Sequence, residues 1–121
     1  MIKLTFCLTR LPQLTREQFQ TYWYEQHAPL VKGFRDILRI RRYVQMHSGS
    51  DAMNAAIAAS RGAPQMFDGV AELWWDSFDD ITSNDSAEAR AAGLALLEDE
   101  RKFIDLSRSP LFFGDEKTIF S

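Results

Sequence analysis

Hydrophobic and polar residues alternate over residues 2–9, which is the pattern of a β-strand with one apolar face. The apolar positions of this segment are Ile2, Leu4, Phe6 and Leu8. The period then becomes that of a helix, with side chains recurring on one face at steps of three and four residues. These inward positions are Phe19, Trp23, His27, Leu30 and Phe34. Thr15 and Gln18 form a capping-box pattern ahead of them, so a helix is predicted to begin there.

Pro29 interrupts this helical stripe. It has no N–H to donate to the carbonyl of Glu25, and it disfavours helical angles at Ala28. We therefore expect a break or kink at residues 27–29, followed by a second helical piece to about Asp36. A histidine at such a break lies near unpaired carbonyl groups, whose field favours the charged form of His27.

The remaining pattern predicts strands at 38–47 and 68–75, a long helix at about 86–106, an apolar loop at 111–114 and a short last strand at 116–120. We interpret residues 48–67, which include an alanine-rich stretch suited to a short exposed helix, as a variable insertion. The order strand, helix, strand, strand, helix, strand predicts a single α+β domain over residues 1–121. Its fold is the ferredoxin-like split βαβ arrangement, a four-stranded antiparallel sheet with both helices on one face.

The other face of this sheet needs a cover of its own. Large apolar side chains occur on both faces of the first and third predicted strands. We therefore expect the open face to pack against a second copy of the chain, which gives a homodimer with two sheets face to face.

Composition narrows the class of protein. The chain has 121 residues, of which 45% are hydrophobic and 26% charged, the balance of a soluble globular domain. A net charge of −3 gives no general attraction for nucleic acid or for an anionic membrane. The sequence has one basic cluster, which we interpret as a solvated face in preference to an anion site. It consists of Lys32, Arg35, Arg39, Arg41 and Arg42.

The single cysteine, Cys7, excludes an internal disulfide and a thiolate metal cage. No secretory signal pattern is present, and no apolar run approaches the roughly 20 residues of a membrane span. We therefore expect a cytoplasmic protein. Two histidines argue against a dedicated zinc site, and no phosphate-binding or dinucleotide motif occurs, so no cofactor is expected.

His27 is the best candidate for chemistry, because a histidine on the inward stripe can transfer a proton near neutral pH. Glu72 lies in the middle of an otherwise apolar strand, where it would orient His27 or act as a base with its pKa raised by burial. Alternatively, these two side chains form a polar pair that serves the fold alone. Four aromatic residues either wall a pocket for a flat ligand or belong to the core: Tyr22, Trp23, Tyr43 and Trp74. His47 is expected to face solvent.

Three segments resemble the EthD domain family of dimeric α+β barrels: Tyr22–Val31, Asp68–Trp74 and Asp99–Asp105. The likeness covers nearly the whole chain apart from residues 48–67. It implies the ferredoxin-like fold and a homodimer. Fungal relatives resemble decarboxylases or dehydratases of polyketide-derived aromatic compounds, and neighbouring barrel families include cofactor-free monooxygenases, isomerases and polyketide cyclases.

By analogy, the resemblance implies a cofactor-independent enzyme of small-molecule metabolism, acting on an aromatic, polyketide-like or xenobiotic compound. His27 would transfer a proton in a dehydration, cyclisation, isomerisation or decarboxylation, in a pocket between the first helix and the sheet. Two alternatives stay open. One is a non-catalytic dimeric binding protein for an apolar metabolite, and the other is a cofactor-free monooxygenase.

Overall fold

The computed structural model describes all 121 residues and contains one antiparallel sheet of four strands. The strands are β1 (Ile2–Leu8), β2 (Arg42–His47), β3 (Gly69–Trp75) and β4 (Leu111–Gly114). Their spatial order is β2-β3-β1-β4, with β1 and β3 in the centre. This is the ferredoxin-like topology, so the predicted fold class is confirmed.

The helices follow the predicted order. They are α1 (Arg16–Tyr22), α2 (Ala28–Gly33), α3 (Asp51–Ala59), α4 (Asp79–Thr82) and α5 (Ala87–Glu100). The capping box at the start of α1 is present: the Gln18 N–H donates to Thr15 Oγ1 over 3.1 Å, and the Thr15 N–H donates to Gln18 Oε1 over 2.9 Å. Helix α3 buries no side chain. None of the helices combines the length and the apolar character that crossing a membrane requires.

The helix does not break at residues 27–29, although a second helical piece, α2, follows there as predicted. A π-helical turn, Trp23–His27, joins α1 to α2, and the Ala28 N–H donates to the carbonyl of Trp23 five residues back. Because of this wider turn, Pro29 lies in the first turn of α2 and the backbone stays right-handed helical throughout. His27 therefore lies inside a continuous helical segment, which ends at Gly33, and not beside unpaired carbonyl groups at a helix end.

Three predicted boundaries differ from the structure. Strand β2 begins at Arg42 because Arg39 has a φ of 58°, a left-handed conformation that a strand does not allow. Helix α5 ends at Glu100, since the chain then turns to form a bridge between Ile104 and Arg10. The last strand is residues 111–114, which pair with β1, and this leaves residues 116–120 without a strand to join.

The core lies between the helices and one face of the sheet. Its largest fully buried side chains are Trp23, Phe19, Phe103 and Leu8. A second buried cluster lies beside it and contains Ile2, Val31, Ile40 and Trp75. Residues opposite one another in the ladder share a face, so the other face of the sheet carries Lys3, Thr5, Met46, Glu72, Trp74 and Phe112.

Candidate functional site

An apolar cavity of about 170 Å³ lies between the helices and the sheet. Fourteen of its sixteen lining residues are hydrophobic, among them Trp23, Tyr43 and Leu96. The other two are His27 and Glu100. A ligand in this cavity would therefore meet an imidazole and a carboxyl group among aliphatic and aromatic side chains.

His27 reaches the cavity from the π-helical turn and is 5% exposed. Its Nδ1 lies 2.7 Å from Asp99 Oδ2, near the end of α5. The Asp99 carboxylate also accepts a hydrogen bond of 2.6 Å from the Tyr22 hydroxyl. Because a carboxylate only accepts, Nδ1 carries the proton that is donated to Asp99, and Nε2 is left with a free lone pair.

The charges at this pair follow from burial and hydrogen bonding. Burial lowers the pKa of His27 below its usual 6.5, and it outweighs the opposing effect of Asp99. Burial acts to raise the pKa of Asp99, but the hydrogen bonds from Tyr22 and His27 outweigh it and the pKa is lowered. The pKa of Tyr22 is raised to about 12, first by burial and then by Asp99. At neutral pH, an uncharged His27 is therefore held by an ionised Asp99. The expectation that the local field favours charged His27 is wrong.

Glu100 follows Asp99 directly and has the opposite tendency. Burial, together with the negative charge of Asp99, raises the pKa of Glu100 from 4.5 to about 7. None of the side-chain hydrogen bonds or ion pairs of the chain involves the Glu100 carboxyl group, whereas Asp99 has three partners. Adjacent carboxyl groups with divergent pKa values are a common arrangement for separate acid and base roles.

The structure brings four of the predicted site residues to the helix side of the sheet. His27, Trp23 and Tyr43 line the cavity, and Tyr22 lies behind His27 on Asp99. The Tyr43 hydroxyl accepts a hydrogen bond of 2.7 Å from Gln45, and burial raises the pKa of this phenol.

Glu72 and Trp74 lie on the opposite face of the sheet. Glu72 is paired with Thr5 in the ladder and forms an ion pair of 2.5 Å with Lys3. Trp74 lies between cations, with Lys3 Nζ 5.2 Å and Arg42 Cζ 4.6 Å from its ring centroid. The expectation that Glu72 orients His27 is therefore wrong, because alternation along β3 turns it away from the helices. Trp74, which was predicted as a possible pocket wall, does not line this cavity either.

His47 does not face solvent as expected. Its ring is half-buried and stacks on Trp23, with centroids 4.4 Å apart and an interplanar angle of 18°. The Nε2 of His47 lies 2.7 Å from Gln45 Oε1. This histidine lies outside the cavity and supports the outer side of the Trp23 ring.

Sequence reasoning missed Asp99 and Glu100 as site residues, although a signal for them was present. Glu100, the last residue of α5, lies four residues after Leu96 and four before Ile104, both of which line the cavity. Asp99 lies four residues before the buried Phe103. The helical period thus directs both acids toward the core. No group of three or more His, Cys, Asp or Glu side chains converges in a way that would hold a metal ion.

The fold and cavity define a ferredoxin-like α+β domain in which His27 and Glu100 face a predominantly apolar cavity. The sequence profile of the EthD domain matches residues 11–107, and the chain belongs to the EthD family. A search of curated protein sequences finds no match.

Three crystal structures with the same fold resemble the chain. An ethyl tert-butyl ether d (EthD) family protein from Bacillus halodurans C-125 is 23% identical, with a TM-score of 0.62 and coverage of 97% of this chain and 99% of that one. An EthD-like protein from Ralstonia eutropha JMP134 is 17% identical, with a TM-score of 0.61 and coverage of 99% and 95%. A dimeric protein of unknown function and ferredoxin-like fold from Bacteroides fragilis NCTC 9343 is 10% identical, with a TM-score of 0.59 and coverage of 95% of both chains.

Proposed function

We propose that this EthD domain is a cofactor-independent cytoplasmic enzyme that moves a proton on a small apolar or aromatic carbonyl compound. Its reaction would be a dehydration, cyclisation, isomerisation or decarboxylation. The observation that carries the proposal is the pairing of His27 and Glu100 as the two non-hydrophobic residues that line the apolar cavity.

The state of each group suits such a step. Neutral His27 has its Nδ1–H committed to Asp99, so Nε2 accepts a proton from the carbon next to the substrate carbonyl. Asp99 then stabilises the imidazolium that forms. Glu100, with a pKa of about 7, retains a proton on a substantial fraction of molecules at neutral pH and donates it to the carbonyl oxygen. An enol is the first product of this step.

Exchange of substrate hydrogen with solvent tests the proposal without knowledge of the natural substrate. The probe is 4-phenylbutan-2-one in D₂O, whose hydrogens next to the carbonyl are followed by NMR. We expect the wild-type protein to accelerate their exchange and His27→Gln to reduce the acceleration by at least about a hundredfold, the scale of general-base catalysis.

The control is Gln26→Ala, which changes an exposed side chain of the same π-helical turn outside the cavity and retains the wild-type rate. Circular dichroism establishes that each variant is folded. Unchanged exchange in folded His27→Gln would overturn the assignment of His27.

A non-catalytic binding protein is the second candidate, and the predominantly apolar wall of the cavity favours it. Calorimetry separates the two functions. Saturable binding of the same ketone, with no exchange by the wild-type protein, would support a binding protein. Oxygen uptake on addition of a hydroxylated aromatic compound would instead indicate a cofactor-free monooxygenase.

The functional unit in this proposal is a homodimer that pairs the open faces of two sheets. Two observations support it: Met46 and Phe112 are each 58% exposed on that face, and the Bacteroides relative is described as dimeric. The variant Phe112→Glu is expected to sediment as a monomer. Met53→Glu on α3, which changes a side chain 73% exposed elsewhere, should leave the dimer intact. A monomeric wild-type protein would contradict this assembly.

A further inference from the structure

A surface groove adjoins the cavity on the side of α2 and β2. It has a volume of about 660 Å³, and it shares three wall residues with the cavity, namely Val31, Ile40 and Tyr43. A ligand whose apolar part occupies the cavity would therefore extend past these side chains into the groove. In this binding mode, the groove would be the mouth of the proposed site.

The groove is basic although the chain as a whole is acidic. Four cationic side chains line it: Lys32, Arg35, Arg41 and Arg42. The one acidic lining residue is Glu25. Of the four cations, Arg41 is committed to Asp76 outside the groove, with nitrogen–oxygen distances of 2.7 and 2.8 Å. The sequence suggested that these cations form a solvated face. That interpretation gives no reason for four of them to line one groove beside the cavity.

Lys32 and Arg35 are available to a ligand. Lys32 takes part in none of the nine ion pairs of the chain. Arg35 is paired with its neighbour Asp36 over 3.5 Å, and both side chains are largely exposed, at 65% and 94%. Such an exposed pair is weak and is easily exchanged for another anion. Arg42 is less free, because it stacks over the Trp74 ring.

We propose that the ligand of this site is a small carboxylate with an apolar body, bound with the body in the cavity and the carboxylate beside Lys32 and Arg35. The proposal rests on the proposed function, in which the cavity is the ligand site. A cavity of about 170 Å³ suits one six-membered ring, since apolar cavities of about 150 Å³ bind benzene.

The orientation follows from the distribution of charge. Two acidic groups, Asp99 and Glu100, lie on the cavity side, and Glu100 lines the cavity but not the groove, whereas Glu25 is a single acid among the four cations of the groove. Lys32 and Arg35 line the groove but not the cavity. A ligand carboxylate is repelled from the first pair and attracted to the second. At the mouth it also stays partly hydrated, so the desolvation cost of a buried anion does not arise.

A matched pair of probes tests the proposal, namely 3-phenylpropanoate and its neutral isostere 3-phenylpropanamide. Their dissociation constants are measured by calorimetry near neutral pH at about 50 mM salt, where screening is modest. The wild-type protein is expected to bind the carboxylate about tenfold more tightly than the amide, the scale of a hydrogen bond to a charged group. In Lys32→Gln/Arg35→Gln this preference falls below about threefold, while amide binding stays unchanged.

The control variant is Arg61→Gln/Arg90→Gln, which removes the same charge from exposed positions outside the groove and keeps the tenfold preference. Equal affinities of the wild-type protein for the two probes would overturn the carboxylate preference alone and leave the cavity as a ligand site. A preference that persists in the groove variant would overturn the role of Lys32 and Arg35. If neither probe binds, the carboxylate preference is overturned. The proposed function is overturned as well only if 4-phenylbutan-2-one neither binds to the protein nor exchanges its hydrogens with solvent.

Discussion

Replacing Glu100 by glutamine should stabilise the protein, and by an amount that grows with pH. In the wild-type protein, the pKa of Glu100 is raised from 4.5 to about 7 by burial and by the charge of Asp99. Its folded form therefore binds the proton more tightly than its unfolded form. The stability that Glu100 contributes is fully present below about pH 4.5 and is lost as pH rises through about 7.

The size of the effect follows from the two pKa values. A difference between 4.5 and about 7 corresponds to about 3 kcal/mol of destabilisation once the carboxylate is ionised in both states. Glu100 is half-buried, so solvent screening and relaxation reduce this to about 2 kcal/mol. Glutamine is nearly isosteric and carries no charge. The gain in the free energy of unfolding on Glu100→Gln is thus expected to rise by about 2 kcal/mol between about pH 4.5 and pH 8.5.

The assay is urea denaturation of both proteins across this pH range at one fixed protomer concentration, because association of subunits also contributes to stability. Glu98→Gln, at an exposed position of the same helix, is the matched control and should show no such trend. A difference between Glu100→Gln and the wild type that is constant with pH would refute the raised pKa. It would also remove the reason to assign Glu100 the role of proton donor.

Three further outcomes are expected. The pH profile of exchange should be bell-shaped, with activity rising as His27 loses its proton below pH 6.5 and falling as Glu100 ionises near about 7. An exchange rate that does not change between pH 6 and pH 9 would contradict both roles. Asp99→Asn should reduce exchange at least about tenfold with little change in ketone affinity, because the imidazole is no longer held in one tautomer; an equal loss in affinity would indicate disruption of the cavity instead. Gly69→Ala should lower the free energy of unfolding by about 1–3 kcal/mol, since an added Cβ would lie 2.7 Å from Trp23 Cη2 and 2.8 Å from the backbone oxygen of Met46; an unchanged urea midpoint would contradict this close packing around Gly69.

Much of the fold follows from local rules that the sequence expresses directly. Strand β1 is confirmed because alternation of period two needs no information from distant residues. The start of α1 is confirmed because the capping box satisfies free backbone N–H groups within four residues. The π-helical turn before Pro29 was missed, since the same residues would also suit a break, and the packing of Trp23 and His27 in the core decides between the two.

Features that depend on contacts between distant segments were harder to predict from the sequence. Residues 111–114 and 116–120 are both short, lie near the end of the chain and contain large apolar side chains, so these features alone do not decide which one becomes β4. Pairing with β1 decides it, and Ile119 and Phe120 are left 85% and 91% exposed. The orientation of Glu72 has a similar origin. Both faces of β3 are apolar, so the pattern along this strand alone does not indicate which face meets the helices.

Asp99 and Glu100 show why the chemistry of the site is harder to predict than its fold. They are adjacent acids on one helix, and a rotation of about 100° separates their side chains. Asp99 meets two hydrogen-bond donors, Tyr22 and His27, whereas Glu100 faces an apolar cavity without any. Residue type is nearly the same, and the donors supplied by other elements set the difference in pKa. A carboxyl group without a partner destabilises the domain above neutral pH, where glutamine would be the more stable choice. A glutamate that lowers the stability of the domain at this position is what we expect of a group that takes part in the chemistry of the cavity.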